Sequence, residues 1–379
     1  MWQAAPMGEM ITTIRAAADV DARWLTEVLH RAGIGRGHEV TSFEATSIGT
    51  GQVGENVRFE LEWSPPGAAS AGLPSSVVGK FPSPSPLSRA TAVQVGTYQR
   101  EVGFYRDLRP HVEIPTPTVH HIGWDGATHD FVLVMDDVRS AVQGDQIAGC
   151  RPEQALAVVT EVVGLHAPTW GSTERWTHLD WLHPPDRERT AVLAMMYAST
   201  LPGFVDRYRA TVGDDVIRVA ERVVDRFGVL ADQLAEWAGA AGGWCVVHAD
   251  YRLDNLLFAD RAATDATGTV TVVDWQTTSF GIGPADVAYF LGSGLLPADR
   301  ERVERELVGD YGASLRGRGV AVDDELLWDG YVLGSASGLL MAIIASQIVE
   351  QTQRGDAMFA VMAERHTAQI EHVGLLDRL

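Results

Sequence analysis

Beyond Gly54 the sequence alternates strictly. Val57, Phe59, Leu61 and Trp63 are apolar, Asn56, Arg58, Glu60 and Glu62 between them are polar, and a period of two fits a half-buried β-strand. Three glycines precede this run, Gly49, Gly51 and Gly54, in the order G-x-G-x-x-G. In a dinucleotide-binding loop the same spacing opens a helix whose N-terminus faces the pyrophosphate, so a strand after the last glycine excludes that arrangement. Two readings stay open: a hairpin whose backbone closes over a nucleoside triphosphate, or a plain turn.

The pattern on either side sets the coarse architecture. "VDARWLTEVLHRA" predicts a helix over 20–32, and the turn-rich 64–76 stretch separates two alternating runs as a hairpin loop would. "TVHHIGW" and "FVLVMDD" flank "DGATHD" as a second hairpin. Between the hairpins, Val95, Tyr98, Val102 and Tyr105 recur at helical spacing and predict one helix over 90–108. From about 152 onward the spacing is helical, broken only at 244–281 by short apolar runs with polar ends. The expectation is an α+β chain of two lobes, a small β-rich lobe over 1–137 and a larger, mostly helical lobe over 138–379.

Charge and cysteine usage exclude several classes. A formal net charge of −20 without any Lys/Arg block argues against nucleic acid as a partner, and is compatible with a cationic substrate. The N-terminus lacks a basic start followed by an apolar run, so no secretory signal is read and a cytoplasmic location is expected. Cys150 and Cys245 form no metal-type cluster, and neither a disulfide nor structural zinc is expected. The uncharged stretch 330–349 is about long enough to span a membrane, yet it is flanked by Asp329 and Glu350 and carries three serines and a glutamine. It reads as a buried helix, with Gly330, Gly334 and Gly338 allowing close approach of another helix.

One residue type is nearly absent. Lys80 is the sole lysine, and the other 29 of the 30 basic residues are arginines. It lies in "SSVVGKF", on the strand expected after the glycine hairpin, where a compact ammonium suits a phosphate contact better than a planar guanidinium. Glu101, on the helix that follows, is the candidate partner; a solvated helix carboxylate is the competing reading.

The stretch "WCVVHADYRLDNLLF" (244–258) is an apolar strand, a polar loop and another apolar strand, and its loop has the form H-x-D-x-x-x-x-N with His248, Asp250 and Asn255. A carboxylate at a strand end can take the proton of an attacking hydroxyl, and an amide carbonyl five residues on can bind Mg²⁺. Only two asparagines, Asn56 and Asn255, occur in the chain. "TVTVVDWQ" (269–276) is a strand ending in Asp274, a second oxygen ligand for the metal that phosphoryl transfer needs. Taken singly these pieces are also an Asx-rich turn and a strand-end cap; in order with the glycine hairpin and Lys80 they point to a kinase.

"VVHADYRLDNLLF" and "VTVVDWQTTSFGIGPADVAYFL", with "VLVMDD", "LHAPTW" and "EQTQRGDAMF", resemble the aminoglycoside phosphotransferase and choline kinase superfamily, and most closely its ecdysteroid-kinase-like bacterial phosphotransferase members. The resemblance covers most of 40–365. It implies a protein-kinase-like fold, ATP and Mg²⁺ as cofactors, and phosphorylation of a small-molecule hydroxyl. It also implies Asp250 as catalytic base, Asn255 and Asp274 as magnesium ligands, Lys80 on the α/β-phosphates with Glu101 paired to it, and Asp136, Asp137 and Val138 as the hinge that adenine meets. Arg252 takes the place of a lysine near the γ-phosphate, with an ordinary surface arginine as the alternative. His248 is expected to shape the loop by packing and hydrogen bonding, and Asp286 to cap a helix and brace that loop.

There are departures. Ala249 stands where protein kinases have arginine and this superfamily usually glycine, a change expected to cost little. Trp275 and Gln276 follow Asp274, and no A-P-E segment follows, which argues against a regulated activation loop and a protein substrate. Two alternatives are kept beside the metabolite kinase: an antibiotic-modifying phosphotransferase, and a non-catalytic nucleotide-binding regulator.

Overall fold

The computed structural model describes residues 13–49, 53–65, 72–259 and 270–379. Contacts divide the chain into two compact units, Met1–Arg106 with Pro117–Val138, and Asp107–Thr116 with Arg139–Leu379. The last change of unit lies at 138/139, beside the boundary expected at 137/138, and the ten residues 107–116 are grouped with the second unit.

In the first unit, helix α1 (Ala22–Arg31) starts where the Asp21 carboxylate accepts the Trp24 N–H at 2.7 Å, and it buries Trp24, Leu25, Val28 and Leu29 on one face. Strands β1 (Glu39–Ile48), β2 (Gly54–Ser64) and β3 (Ser76–Pro82) follow. Then come helices α2 (Pro86–Val95) and α3 (Thr97–Gly103) and strands β4 (Val119–Asp125) and β5 (Asp130–Asp136). The five strands form one antiparallel sheet in the order β1-β2-β3-β5-β4. Phe59, Val77, Phe81, Val132 and Val134 meet the α1 face in a core beneath it. The helix expected over 90–108 is two helices. Gly96, at φ 73°, closes α2 in the left-handed region, which glycine enters without the steric cost other residues bear, and α3 restarts at once.

The second unit runs β6 (Ala141–Gln143), α4 (Pro152–Glu161), α5 (Val163–Thr169), α6 (Arg187–Asp225) and α7 (Phe227–Ala240). Four short strands follow, β7 (Cys245–Val247), β8 (Leu256–Ala259), β9 (Val270–Val272) and β10 (Ser279–Gly281). Helices α8 (Gly283–Gly294), α9 (Pro297–Gly317), α10 (Asp324–Gly334), α11 (Ser337–Ile348) and α12 (Gln353–His372) complete it. The strands make two small antiparallel sheets, β10-β7 and β6-β8-β9. Helical spacing did not foresee the non-helical stretch 170–186, apart from a 3₁₀ turn, nor β6.

The apolar stretch at 324–348 is, by length and composition, the one candidate span among the described residues; its apolar window is 72% buried. It is also two helices, broken at Ser335 and Ala336. Its glycines accommodate three neighbours rather than one: a Cβ at Gly330 would meet the Trp237 ring of α7, at Gly334 the Ala285 backbone of α8, and at Gly338 the His366 ring of α12. The stretch is a core element of the second unit.

Candidate active site

Strand β7 pairs with β10, and the chain leaves β7 at His248 into a loop that leads to β8, a strand of the second small sheet. Helix α8 holds this loop. The Asp286 carboxylate accepts the backbone N–H of His248 at 2.7 Å and of Ala249 at 2.9 Å, and His166 Nε2 lies 3.2 Å from it. Asp286 is not the cap of α8: that position is Ile282, with no side-chain cap, and Pro284 in the first turn has no N–H to offer. Its oxygens go to the loop instead. Ala249 sits at φ 63° and Asp274 at φ 70°, two non-glycine residues in the left-handed region within one site. Alanine at 249 carries left-handed strain of about 1 kcal/mol, which glycine there would not bear.

His248 is fully buried and fixes the loop's interior. Its Nδ1 accepts the Asp250 N–H at 3.3 Å, which leaves Nε2 to donate to the Val273 carbonyl at 3.1 Å. Its ring packs on Trp275 with centroids 4.8 Å apart.

The Asp250 carboxylate is almost fully buried and is held by three side chains. The Tyr289 hydroxyl donates to Oδ1 at 2.7 Å, Arg252 Nε lies 3.0 Å from Oδ1 and 3.2 Å from Oδ2, and Asn255 Nδ2 donates to Oδ2 at 2.9 Å. The same Asn255 nitrogen reaches the Asp250 carbonyl at 2.9 Å. With its NH₂ committed there, the amide oxygen is the end of Asn255 left for a cation. Val273 N–H donates to the Asn255 carbonyl at 3.0 Å, which sets Asp274 on the adjoining segment, where Gln276 Nε2 touches its Oδ2 at 3.1 Å. Asn255 and Asp274 offer oxygen atoms alone, the donor chemistry that suits Mg²⁺.

Arg252 is not a loose surface arginine. Its Nη1 donates to Asp254 at 2.9 Å, and Asp254 also accepts Arg354 at 2.8 and 2.9 Å and the Gln146 N–H at 3.0 Å. Burial works against the Arg252 charge, but Asp250, Asp254 and Asp274 outweigh it and raise its pKa. Asp254 is likewise held below the usual carboxylate range: burial opposes this, and Arg354, Arg252 and Gln146 overcome it.

In the first unit, Lys80 of β3 meets Glu101 of α3. The ammonium is 2.7 Å from both carboxylate oxygens, and both side chains are buried, so the solvated-carboxylate reading of Glu101 is set aside. Gly54 starts β2 beside Lys80, where a Cβ would lie 3.4 Å from Lys80 Cε and 3.2 Å from the Phe81 carbonyl. Gly49 follows β1 at φ 75°; Gly51 lies outside the described residues. Tyr98 donates to the Val53 carbonyl at 2.8 Å, tying that end of the hairpin to α3. At the end of β5, Asp136 contacts His120 at 2.7 Å, and Val138 is half-buried. Asp137 points into the sheet, accepting Arg58 at 2.7 and 3.0 Å and Ser76 at 2.6 Å.

Tyr289, Asp254 and Arg354 were not anticipated. Tyr289 lies three residues after Asp286, one helical turn along α8, a spacing that would have exposed it. Arg354 had no such local signal, since it meets the loop from 100 positions away.

Comparison with known proteins places the fold. A family model for the phosphotransferase enzyme family matches residues 76–321. No curated protein matches the chain. The crystal structure of choline kinase from Cryptosporidium parvum Iowa II superposes with a TM-score of 0.51 at 10% identity, covering 87% of this chain and 89% of that one. The GDP complex of an aminoglycoside 2'-phosphotransferase does so with a TM-score of 0.47 at 13% identity, covering 87% and 94%. An aminoglycoside phosphotransferase in ternary complex with ADP and hygromycin B gives 0.44 at 15% identity, covering 92% and 98%. With a β-rich first unit, a helical second unit and a family match across well over half of its length, the chain belongs to the phosphotransferase enzyme family, on the protein-kinase-like fold of the aminoglycoside phosphotransferases and choline kinases.

Proposed function

We propose that the protein transfers the γ-phosphate of ATP to a hydroxyl group of a small molecule. The observation that carries this reading is the Asp250 carboxylate, held rigidly in the loop after β7 by Tyr289, Arg252 and Asn255 while its side chain keeps 13% of its surface exposed. Asp250 accepts the hydrogen bond of the acceptor hydroxyl and takes its proton as the oxygen attacks the γ-phosphorus in line, with ADP as the leaving group. Asn255 and Asp274 are the residues that hold Mg²⁺, which when bound neutralises phosphate charge. Lys80, steadied by Glu101, contacts the α/β-phosphates, Gly49, Gly51 and Gly54 let the hairpin backbone approach them, and Arg252 faces the γ-phosphate side. Asp136 to Val138 meet adenine through the backbone, because the Asp137 carboxylate is engaged by Arg58 and Ser76. Trp275 is wholly buried against His248, which supports a fixed segment after Asp274 rather than a regulated loop, and hence a small-molecule rather than a protein acceptor.

The test is ATP turnover with Mg²⁺ against a pool of hydroxylated metabolites that includes aminoglycosides, with phosphorylated products identified by mass. Phosphate transfer lost in Asp250→Ala supports the reading, and the product distinguishes a metabolite from an antibiotic acceptor. Nucleotide binding without turnover, unchanged in Asp250→Asn, would replace it with the nucleotide-binding regulator.

A further inference from the structure

Asp286 and Tyr289 lie one turn apart on α8, and both reach the same loop. Asp286 holds the backbone of residues 248 and 249, whereas Tyr289 holds the side chain of Asp250. Tyr289 is buried, and its phenol has no place in the proposed chemistry, since it contacts the base rather than the acceptor or the phosphates. Burial, with the Asp250 charge beside it, pushes its pKa well above the ordinary value, so it remains a donor.

Counting lone pairs gives this contact a consequence. A carboxylate offers about four acceptor sites, two on each oxygen. At Oδ1 the Tyr289 hydroxyl at 2.7 Å and the shorter leg of the Arg252 bond at 3.0 Å fill both. At Oδ2 the Asn255 amide fills one, and the Arg252 leg is the longer at 3.2 Å. Arg252 brings one hydrogen to this pair of oxygens, so three hydrogens serve four sites and the open one is on Oδ2.

We propose that Tyr289 is a positioning residue that anchors Oδ1 of Asp250, so that Oδ2 is the oxygen that receives the acceptor's proton. The inference rests on the kinase reading above. Without the phenol, Oδ1 has an open site as well, the carboxylate rotates about χ2, and the acceptor hydroxyl is met in more than one geometry. Reaction rate falls while binding is preserved, because neither nucleotide nor acceptor touches Tyr289.

Tyr289→Phe keeps the ring in its place against His366, 5.5 Å between centroids, and removes the donor alone. The expected result is a fall in kcat of roughly 10- to 100-fold, with both KM values within about twofold and the melting temperature near that of the parent. A second readout needs no turnover: the Tyr289 hydroxyl proton, bonded to a buried carboxylate, should give a slowly exchanging downfield proton resonance, absent in Tyr289→Phe and shifted in Asp250→Asn. Full kcat in Tyr289→Phe, or a loss expressed in KM, overturns this inference while leaving the proposed function intact. Absence of the proton resonance overturns it as well. A parent protein that shows the resonance but transfers no phosphate overturns the proposed function, and the positioning role with it.

Discussion

Asp286 accepts the backbone N–H of Ala249 at 2.9 Å and so holds a residue whose φ of 63° is unfavourable for any side chain. The bond and the strain belong together. Position 249 turns the chain so that both His248 and Ala249 direct their N–H groups at one carboxylate, and the helix behind supplies it.

Ala249→Gly should therefore stabilise the protein. Relief of about 1 kcal/mol of left-handed strain, partly offset by the freer unfolded chain, leaves a gain of up to about 0.5 kcal/mol, with phosphate transfer retained. A urea midpoint lower than the parent's would refute the strain argument.

Removing the carboxylate acts in the other direction. Asp286→Ala leaves two buried N–H groups and the His166 ring nitrogen without their partner, a loss of about 2–4 kcal/mol in denaturant titration. Asp286→Asn, which can still accept from one oxygen, should fall between it and the parent.

The buried pair in the first unit predicts an asymmetry. Lys80→Met removes the ammonium from against both oxygens of a buried carboxylate and should cost about 3–5 kcal/mol, whereas Lys80→Met with Glu101→Leu should recover a large part of that loss. Neither variant should bind nucleotide as tightly as the parent, and Lys80→Arg should not restore affinity, because the larger planar guanidinium forks onto the Glu101 carboxylate and does not fit the buried space of a compact ammonium. Calorimetry with ADP separates the two effects.

His366 predicts a pH dependence. Burial lowers its pKa from 6.5 to about 4, and the nearby Arg300 and Arg365 charges add to this against the Gln369 and Ser335 contacts. The unfolded chain thus binds a proton below about pH 6.5 that the folded chain refuses until about pH 4. Its contribution to stability is present above pH 6.5 and is lost as pH falls toward 4, about 3 kcal/mol over the whole window. His366→Gln should show a flatter stability curve than the parent between those limits, and parallel curves would contradict the assignment.

What the sequence disclosed and what it hid follow from the range of the interactions. Period-two alternation at 56–63 and the spacing of His248, Asp250 and Asn255 are local patterns, and they foretold β2 and a loop whose side chains meet one another. Lys80 and Glu101, separated by 21 positions, were legible because the lysine has no counterpart elsewhere in the chain. The helix expected over 90–108 failed on one residue, since the apolar spacing runs straight through Gly96 while the backbone does not. Tyr289 was within reach, one turn along α8 from Asp286, whereas Arg354 meets the loop only through packing of a distant helix, a relation that no window of sequence contains.

The Arg354 contact also places the site in time. Asp254 waits for a partner 100 residues downstream, and Arg365, further along the same helix, grips the Gln146 and Ser293 carbonyls from 219 and 72 positions away. At ordinary rates of translation about 5–20 s separate the appearance of the loop from that of its clamp. The three side chains that hold Asp250 are complete once residue 289 has been made, whereas Asp254 gains its second guanidinium only with α12, so the two halves of the loop's ion network are finished at different moments of synthesis.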